Sequence, residues 1–229
     1  MKKIILSIGC TLIATPTFAC VFCNKAVSDG IYDSAFYPNI LAMLSAFIAV
    51  AIIVAILYIV ATKRQKIFWD DNTGIIRLTP VPLATTSVII GIGLGGFADG
   101  IFLHQILQWH EMLSNRIPPT NYVGKSINMF WDGIFHAFCL VVVLSGTSQL
   151  WKLLKRNDIN TSGYLYSGGV LAGWGLFNIV EGLIDHQILK LHNVMELAPN
   201  HDIANYAFLG ISVVMLLVGY FLMQRGAKE

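Results

Sequence analysis

Acids and histidines recur at fixed spacing within two apolar segments of the chain, residues 99–110 and residues 181–192. The two segments align without gaps. Each has an acid followed by glycine, a His five residues after the acid, Gln-Ile-Leu directly after that His, and a second His eleven residues after the acid. Upstream of the two segments, Gly91 and Gly93 align in the same register with Gly173 and Gly175. This self-similarity predicts an internal repeat that carries the chemistry of the protein.

A third apolar segment contributes Asp132 and His136, which lie four residues apart. Ionisable side chains inside a bilayer cost several kcal/mol and usually mark a functional site. The sequence therefore predicts a polar site near one face of the membrane. Its primary candidates are His104, His136, His186, Asp99, Asp132 and Glu181. Its secondary candidates are His110, His192 and Asp185.

Histidine combined with carboxylate suits Cu, Fe or Zn, and helix bundles build metal sites from such residues on facing helices. We expect the histidines to be ligands, with each acid either a ligand or the group that fixes a His tautomer. The predicted cofactor is one of these transition metals. Metal handling, support of an oxidase and redox chemistry all fit such a site, and an open coordination position, which an enzyme would need, is invisible in a sequence. Respiratory or metal-handling membrane proteins are the expected partners.

Three other interpretations remain open at the level of the sequence. A b-type haem protein would use His104 and His186 as axial ligands, although the three acids would then have no role. A proton- or ion-coupled transporter would use buried acids and histidines as a relay. The same residues could also be hydrogen-bonded packing residues, with His110 and His192 exposed at the membrane interface.

Regular helix geometry brings only some of these residues together. Asp99 and His110 are eleven residues apart and project within roughly 20° of each other on an α-helix. His104, in contrast, projects roughly 140° away from Asp99, and the same holds for the second segment. The histidines and acids therefore form two clusters, or the helices are irregular near the acids.

The chain is 55% hydrophobic and only 12% charged, and its apolar residues fall in runs long enough to cross a bilayer. The predicted fold is an all-α polytopic membrane helix bundle. Its four-helix core is built from two parallel two-helix repeats, and an N-terminal span is added to that core. The five predicted spans are residues 39–61, 83–110, 128–151, 164–192 and 203–223. A net charge of +2 and the lack of a basic tract argue against nucleic acid as a partner.

Targeting signals predict a bacterial inner-membrane location. Residues 1–19 have the charged start, short apolar core and small-residue end of a secretory signal peptide. Basic residues concentrate in three connecting or terminal stretches, which the positive-inside rule assigns to the cytoplasm. They are Lys63, Arg64, Lys66 and Arg77, then Lys152, Lys155 and Arg156, then Arg225 and Lys228. The mature N-terminus is then periplasmic, the C-terminus cytoplasmic, and the polar site faces the periplasm.

Cys20 and Cys23 form a pair outside the predicted spans. Haem attachment would need His directly after the second Cys, and Asn24 is there instead. A disulfide and an accessory thiolate site for a soft metal both fit this pair. The predicted organisation is a signal peptide (1–19), a Cys-containing tail with the first span (20–66) and a four-helix domain (80–225).

Three stretches, GIGLGGFADGIFLHQILQWHEML, WDGIFHAF and GWGLFNIVEGLIDHQILKLHNV, resemble the bacterial membrane proteins classed as domain of unknown function 2243. The resemblance covers about residues 80–225. It implies that further histidines often occupy the positions held here by Glu111, Gln187 and Asn193, so this chain has a thinner histidine set. The family name implies no activity, and the function has to be argued from the site.

Overall fold

The computed structural model describes residues 24–35, 39–70 and 74–229. Within these residues, five helices are long and apolar enough to cross a membrane, which confirms the predicted all-α membrane bundle. The α-helices are α1 (Lys25–Ala35), α2 (Asn39–Lys63), α3 (Val81–Ala98), α4 (Tyr122–Leu154), α5 (Gly163–Glu181) and α6 (His201–Gly226). The signal peptide, Cys20 and Cys23 lie outside the described residues.

Helices α3 and α5 do not end as regular α-helices. Each continues directly into a π-helical segment, π1 (Asp99–Ile106) after α3 and π2 (Gly182–Ile188) after α5. The predicted second and fourth spans, drawn to His110 and His192, are therefore too long. The helical backbone stops before these two histidines, and each of them lies in the loop that follows.

Two further differences concern the connections. Helix α4 begins at Tyr122 and not near residue 128, because the side chain of Asn121 caps it by accepting a hydrogen bond from the Gly124 N–H. The connection between α2 and α3 forms an antiparallel hairpin of β1 (Ile67–Asp70) and β2 (Ile75–Leu78). Such short elements carry little periodicity, and the apolar pattern that marks the spans does not predict them.

Close contact between α3 and α5 depends on glycine. A Cβ on Gly91 would collide with the main-chain carbonyl of Val170, and a Cβ on Gly173 would collide with that of Val88. These glycines stand at corresponding positions of the two aligned segments. Without a driving force from water, membrane helices associate through close packing, and small residues let their backbones approach. The α3–α5 pair is thus the centre of the four-helix core.

We expect Gly91→Ala to lower the free energy of unfolding by about 1–3 kcal/mol, because overpacking at a backbone contact forces the helices apart. Gly210→Ala is the matched control. Gly210 lies in α6 with no atom near its missing Cβ, and alanine there should stabilise the helix by about 0.5–1 kcal/mol. The measurement is the melting temperature of both variants in detergent. Equal effects would show that the α3–α5 contact is not tight.

The connections sort to two ends of the bundle. At one end, the N–H of Leu78 donates to the carbonyl of Asp158, and Arg77 donates to the main-chain carbonyl of Glu229. The hairpin, the α4–α5 connection and the last residues therefore meet there. At the other end, the loops after π1 and π2 hydrogen-bond to each other, through Asn115 to Leu191 and Glu196 to Trp109. The acids and histidines lie beneath these two loops.

Candidate metal centre

The π-helical segments bring His104 and His186 back to their own acids. A π-helix has i→i+5 hydrogen bonds, as from the Leu107 N–H to the Phe102 carbonyl at 2.8 Å, so side chains about five residues apart share a face. As a result, His104 Nε2 lies 3.0 Å from Asp99 Oδ2. His186 Nε2 lies 2.8 Å from Glu181 Oε1. The helices are irregular near the acids, and this irregularity removes the mismatch that regular helix geometry predicts.

A second bend in each segment brings His110 and His192 back towards the acids of their own segments. Gln108 and Lys190, at corresponding positions, have φ values of 50° and 51°, in the left-handed region that non-glycine residues seldom adopt. The chain reverses there and folds over the end of each π segment. His110 and His192 are consequently 2% and 1% exposed. The alternative in which they are exposed at the membrane interface was wrong, because it assumed a continuous helix.

The four imidazole rings form a continuous row. The ring centroids of His104 and His110 are 4.4 Å apart, those of His110 and His192 are 4.6 Å apart, and those of His192 and His186 are 4.7 Å apart. His110 and His192 are almost parallel, with an interplanar angle of 8°. Each also lies near its acid, with His110 Nε2 3.8 Å from Asp99 Oδ1 and His192 Nε2 3.5 Å from Glu181 Oε1.

Asp132 reaches this row from α4. Its Oδ1 lies 2.9 Å from His104 Nδ1 and accepts a hydrogen bond from the Met112 N–H at 3.1 Å. Because a carboxylate only accepts, Nδ1 of His104 carries a proton and donates it to Asp132. In α6 the corresponding contact is made by Asn205, whose Oδ1 accepts from the Val194 N–H at 2.9 Å. An amide thus replaces the carboxylate in the second half.

The second half has a different additional acid. Asp185 is 1% exposed and lies with Glu181 and His192 in a group whose ligand atoms are all within 4.8 Å of one another. Two more groups meet the same criterion among the described residues: Asp99 with His104 and His110, and His186 with His110 and His192. Three carboxylates and four histidines therefore converge on one buried volume.

Many polar atoms of this cluster are buried without a hydrogen-bond partner from the protein. They are Asp99 Oδ1, His104 Nε2, His110 Nε2, Glu181 Oε1 and Oε2, Asp185 Oδ1, both ring nitrogens of His186, and His192 Nδ1. An unpaired buried polar group costs about 1–3 kcal/mol. His104 Nε2 belongs to this set although it lies 3.0 Å from Asp99, because the two groups are not aligned for a hydrogen bond. A bound cation would satisfy these atoms together.

The two loop histidines are neutral. Burial and, second to it, the neighbouring His104 lower the pKa of His110 to about 3. Burial, followed by the proximity of His110, holds the pKa of His192 well below its ordinary value of 6.5. A neutral imidazole has a lone pair on one ring nitrogen, which is the form that binds a metal ion.

His136 belongs to none of the three groups. Its half-buried ring stacks on Phe97 at a centroid distance of 5.9 Å, and its Nε2 occupies the space left by the missing side chain of Gly100. Among the predicted primary candidates it is the residue that the structure places beside the cluster and not in it. Four of the other five belong to these groups, and the fifth, Asp132, contacts His104.

Two asparagines that the sequence analysis did not select hold the covering loops in place. The side chain of Asn128 accepts from the Leu113 N–H at 2.7 Å and donates to the Ile117 carbonyl at 2.8 Å. Asn205 accepts from the Val194 N–H and donates to the Asn193 side chain at 3.1 Å. Both are buried. An amide in the first turns of an apolar helix is the signal that could have revealed them.

A small cavity of about 20 Å³ adjoins the cluster. That volume has room for about one water molecule. On its apolar side it is lined by Phe47 and Val50 of α2, Phe135 of α4 and Phe177 of α5, and on its polar side by Asp99 and Glu181. Helix α2 thus closes the cluster from the side of the added span.

Asp132→Asn is expected to weaken metal binding about 10- to 100-fold, which is the usual effect of removing a carboxylate that orients a metal-bound His. The fold should persist, because an amide oxygen can still accept from Met112, as Asn205 does from Val194. Asp202→Asn, at an exposed acid of α6, is the control and should change nothing. The measurement is metal affinity by competition with a chelator. Unchanged affinity in Asp132→Asn would remove Asp132 from the site.

Fold and site together define a class, that of multi-pass helical membrane proteins with a buried cluster of histidines and carboxylates. The sequence model of the family described as "Predicted membrane protein (DUF2243)" matches residues 86–226. This is more than half of the chain, so the chain belongs to that family, and the resemblance seen in the sequence is confirmed. Every residue of the cluster lies within the matched range. No curated protein and no solved structure matches the chain.

Proposed function

We propose that the protein binds a transition metal, Cu, Fe or Zn, at the buried cluster. The observation that carries this proposal is the spacing of ligand atoms within each half. In one half, His104 Nε2 and His110 Nε2 lie 3.0 and 3.8 Å from the two oxygens of Asp99, one each. In the other half, His186 Nε2 and His192 Nε2 lie 2.8 and 3.5 Å from the same oxygen of Glu181. Metal–ligand bonds of about 2.0–2.1 Å place neighbouring ligand atoms about 3.0–3.4 Å apart.

The chemistry of the ligands supports the same class of metal. Two imidazoles with one carboxylate and open positions are typical of non-haem Fe(II), and imidazole also suits Zn and Cu. The cluster contains no soft sulfur ligand among the described residues, and its two neutral loop histidines, His110 and His192, need no proton loss before binding. A metal here would supply Lewis-acid or redox chemistry, while Asp132 orients His104 and the covering loops exclude water. Such a site fits metal handling, oxidase support or redox chemistry, alongside respiratory or metal-handling membrane proteins.

Packing favours a non-haem metal over haem b. Axial ligation by His104 and His186 would require a flat macrocycle between these two rings. His110 and His192 fill that space, with successive ring centroids only 4.4–4.7 Å apart. The acids also contact the ring nitrogens that would bind the iron of a haem. A transporter would need a path from the cluster to both faces, and the cluster is instead enclosed by the loops at one end.

The test is elemental analysis of the detergent-purified protein with a visible spectrum of the same sample. Stoichiometric Cu, Fe or Zn without a Soret band is the expected result. A Soret band would replace this proposal by the haem alternative. A protein that has no metal and takes up none from solution would leave packing or transport as the function of the cluster.

We propose a bacterial inner-membrane location with the cluster at the periplasmic side, because the basic residues concentrate at the opposite end of the bundle. Reporter fusions at about residue 70 and at Asn157 should then be cytoplasmic. Fusions near Asn115 and Asn200 should be periplasmic. A cytoplasmic report from Asn115 would put the cluster at the other face of the membrane.

A further inference from the structure

We propose that the cluster holds two metal ions, one in each half, and this inference rests on the metal-binding function proposed above. Site A consists of Asp99, His104 and His110. Site B consists of Glu181, His186 and His192, with Asp185 beside it. Each is a set of two histidines and one carboxylate from a single aligned segment. The two sites have the same spacing in sequence and nearly the same interatomic distances.

The first argument is that the imidazole rings pair within each half. In site A the two histidine rings are 4.4 Å apart, and in site B they are 4.7 Å apart. The diagonal pairs between the halves are farther apart, with His104 to His192 at 5.8 Å and His110 to His186 at 5.9 Å. Each half therefore has its own pair of adjacent rings, and the two halves adjoin through His110, His186 and His192, whose ligand atoms lie within 4.8 Å of one another.

The second argument comes from the stacked contact between the halves. His110 and His192 stack with an interplanar angle of 8° and a centroid distance of 4.6 Å. An imidazole binds a metal through a lone pair that lies in the plane of its ring. Two stacked rings have parallel planes that do not meet, so a single ion cannot lie in both planes. One ion bound by His110 and a second bound by His192 satisfies this geometry.

The third argument is the number of ligands. The two sites supply six side chains, and Asp185 adds a seventh. A structural Zn site has four ligands, and a catalytic site keeps only three protein ligands with an open position. Seven buried ligand groups are more than one ion uses. They are the right number for two ions that share a boundary, as in two-metal centres whose ions lie about 3.5–4 Å apart.

The two sites are not chemically identical. In site A, the carboxylate of Asp132 contacts Nδ1 of His104. In the second half, the residue that accepts from the corresponding loop N–H is Asn205, which has an amide instead. Site B has Asp185, and the aligned residue in the first segment is Leu103. Site B therefore offers two carboxylates to its ion and site A offers one. We expect two binding steps with different affinities.

The experiment is metal loading of the purified chain with Zn²⁺, measured by titration and by elemental analysis after removal of excess ion. The wild type should hold two ions. His104→Gln and His186→Gln, which keep the size of the side chain, should each hold one, and the double variant none. Melting temperatures without metal check that each variant is folded.

A second measurement does not depend on variants. With Cu²⁺ as the probe, the electron paramagnetic resonance signal should grow with the first equivalent and fall with the second, because two ions a few ångströms apart couple magnetically. One ion in the wild type and none in either single variant would overturn the two-ion proposal and leave the proposed function standing. Failure of the wild type to bind either metal would overturn the proposed function itself.

Discussion

Replacing His110 with Ala is expected to remove the ion of site A. Four-ligand Zn sites bind with about 10–16 kcal/mol, so each ligand contributes on the order of 3 kcal/mol. Because about 1.4 kcal/mol is a tenfold change, losing His110 should weaken binding at that site by on the order of 100-fold. The same change deletes the 2.9 Å contact between His110 Nδ1 and the Val194 carbonyl, which ties one covering loop to the other.

His201→Ala is the matched control. His201 begins α6 and is exposed to solvent, so its removal should leave metal content and melting temperature unchanged. The measurement is the metal content of the two variants after dialysis against a weak chelator. If His110→Ala retained as much metal as His201→Ala, His110 would be a packing residue and not a ligand.

The sequence predicted which residues lie close together better than it predicted the path of the chain between them. The recurrence of acid and His in two segments, together with Asp132 and His136 of a third, gave nine candidates, and the structure brings all of them except His136 together. Their types and spacing were sufficient for this, because buried acids and histidines in membrane helices have few other uses. The number of spans followed from apolar length alone.

The positions of His104 and His186 could not be predicted in the same way. An α-helix advances about 100° per residue, so a segment with i→i+5 bonds shifts the phase of every later side chain. Nothing in Gly-Ile-Phe-Leu or Gly-Leu-Ile-Asp marks such a segment in advance. The sequence does not reveal the turns at Gln108 and Lys190 either, because neither residue is the Gly or Asn that a positive φ favours.

His136 shows a different limit. It follows Asp132 by four residues and so lies on the same face of α4, which made it an equally good candidate. In the structure, the imidazole of His136 instead fills the space left by the missing side chain of Gly100. Which of two residues on one face reaches a neighbour depends on the register of the two helices, and the sequence of a single helix does not contain that register.

Replacing Glu181 with Gln should have opposite effects on the metal-free and the metal-loaded protein. Glu181 is 5% exposed, and neither of its oxygens has a hydrogen-bond partner. A carboxylate oxygen of Asp185 lies within 4.8 Å of one of Glu181, so the two like charges disfavour each other. A buried polar group without a hydrogen-bond partner costs about 1–3 kcal/mol, and more when it is charged, so the uncharged amide of Gln is easier to bury. The metal-free variant should therefore melt higher than the metal-free wild type, by about 2–4 °C for each kcal/mol.

With metal, the order should reverse. Binding to the folded state alone adds about 2.7 kcal/mol of stability at a free metal concentration of 100 times Kd, and the variant forfeits this gain at site B because an amide is a poor ligand. A Glu181 that only packs against its neighbours predicts a different result, in which Glu181→Gln lowers the melting temperature equally with and without metal. The measurement is four melting curves, wild type and variant, each with chelator and with saturating Zn²⁺. Parallel shifts in the two conditions would exclude Glu181 as a ligand. A variant that melts above the wild type without metal and below it with metal would show that Glu181 binds the ion and destabilises the metal-free fold.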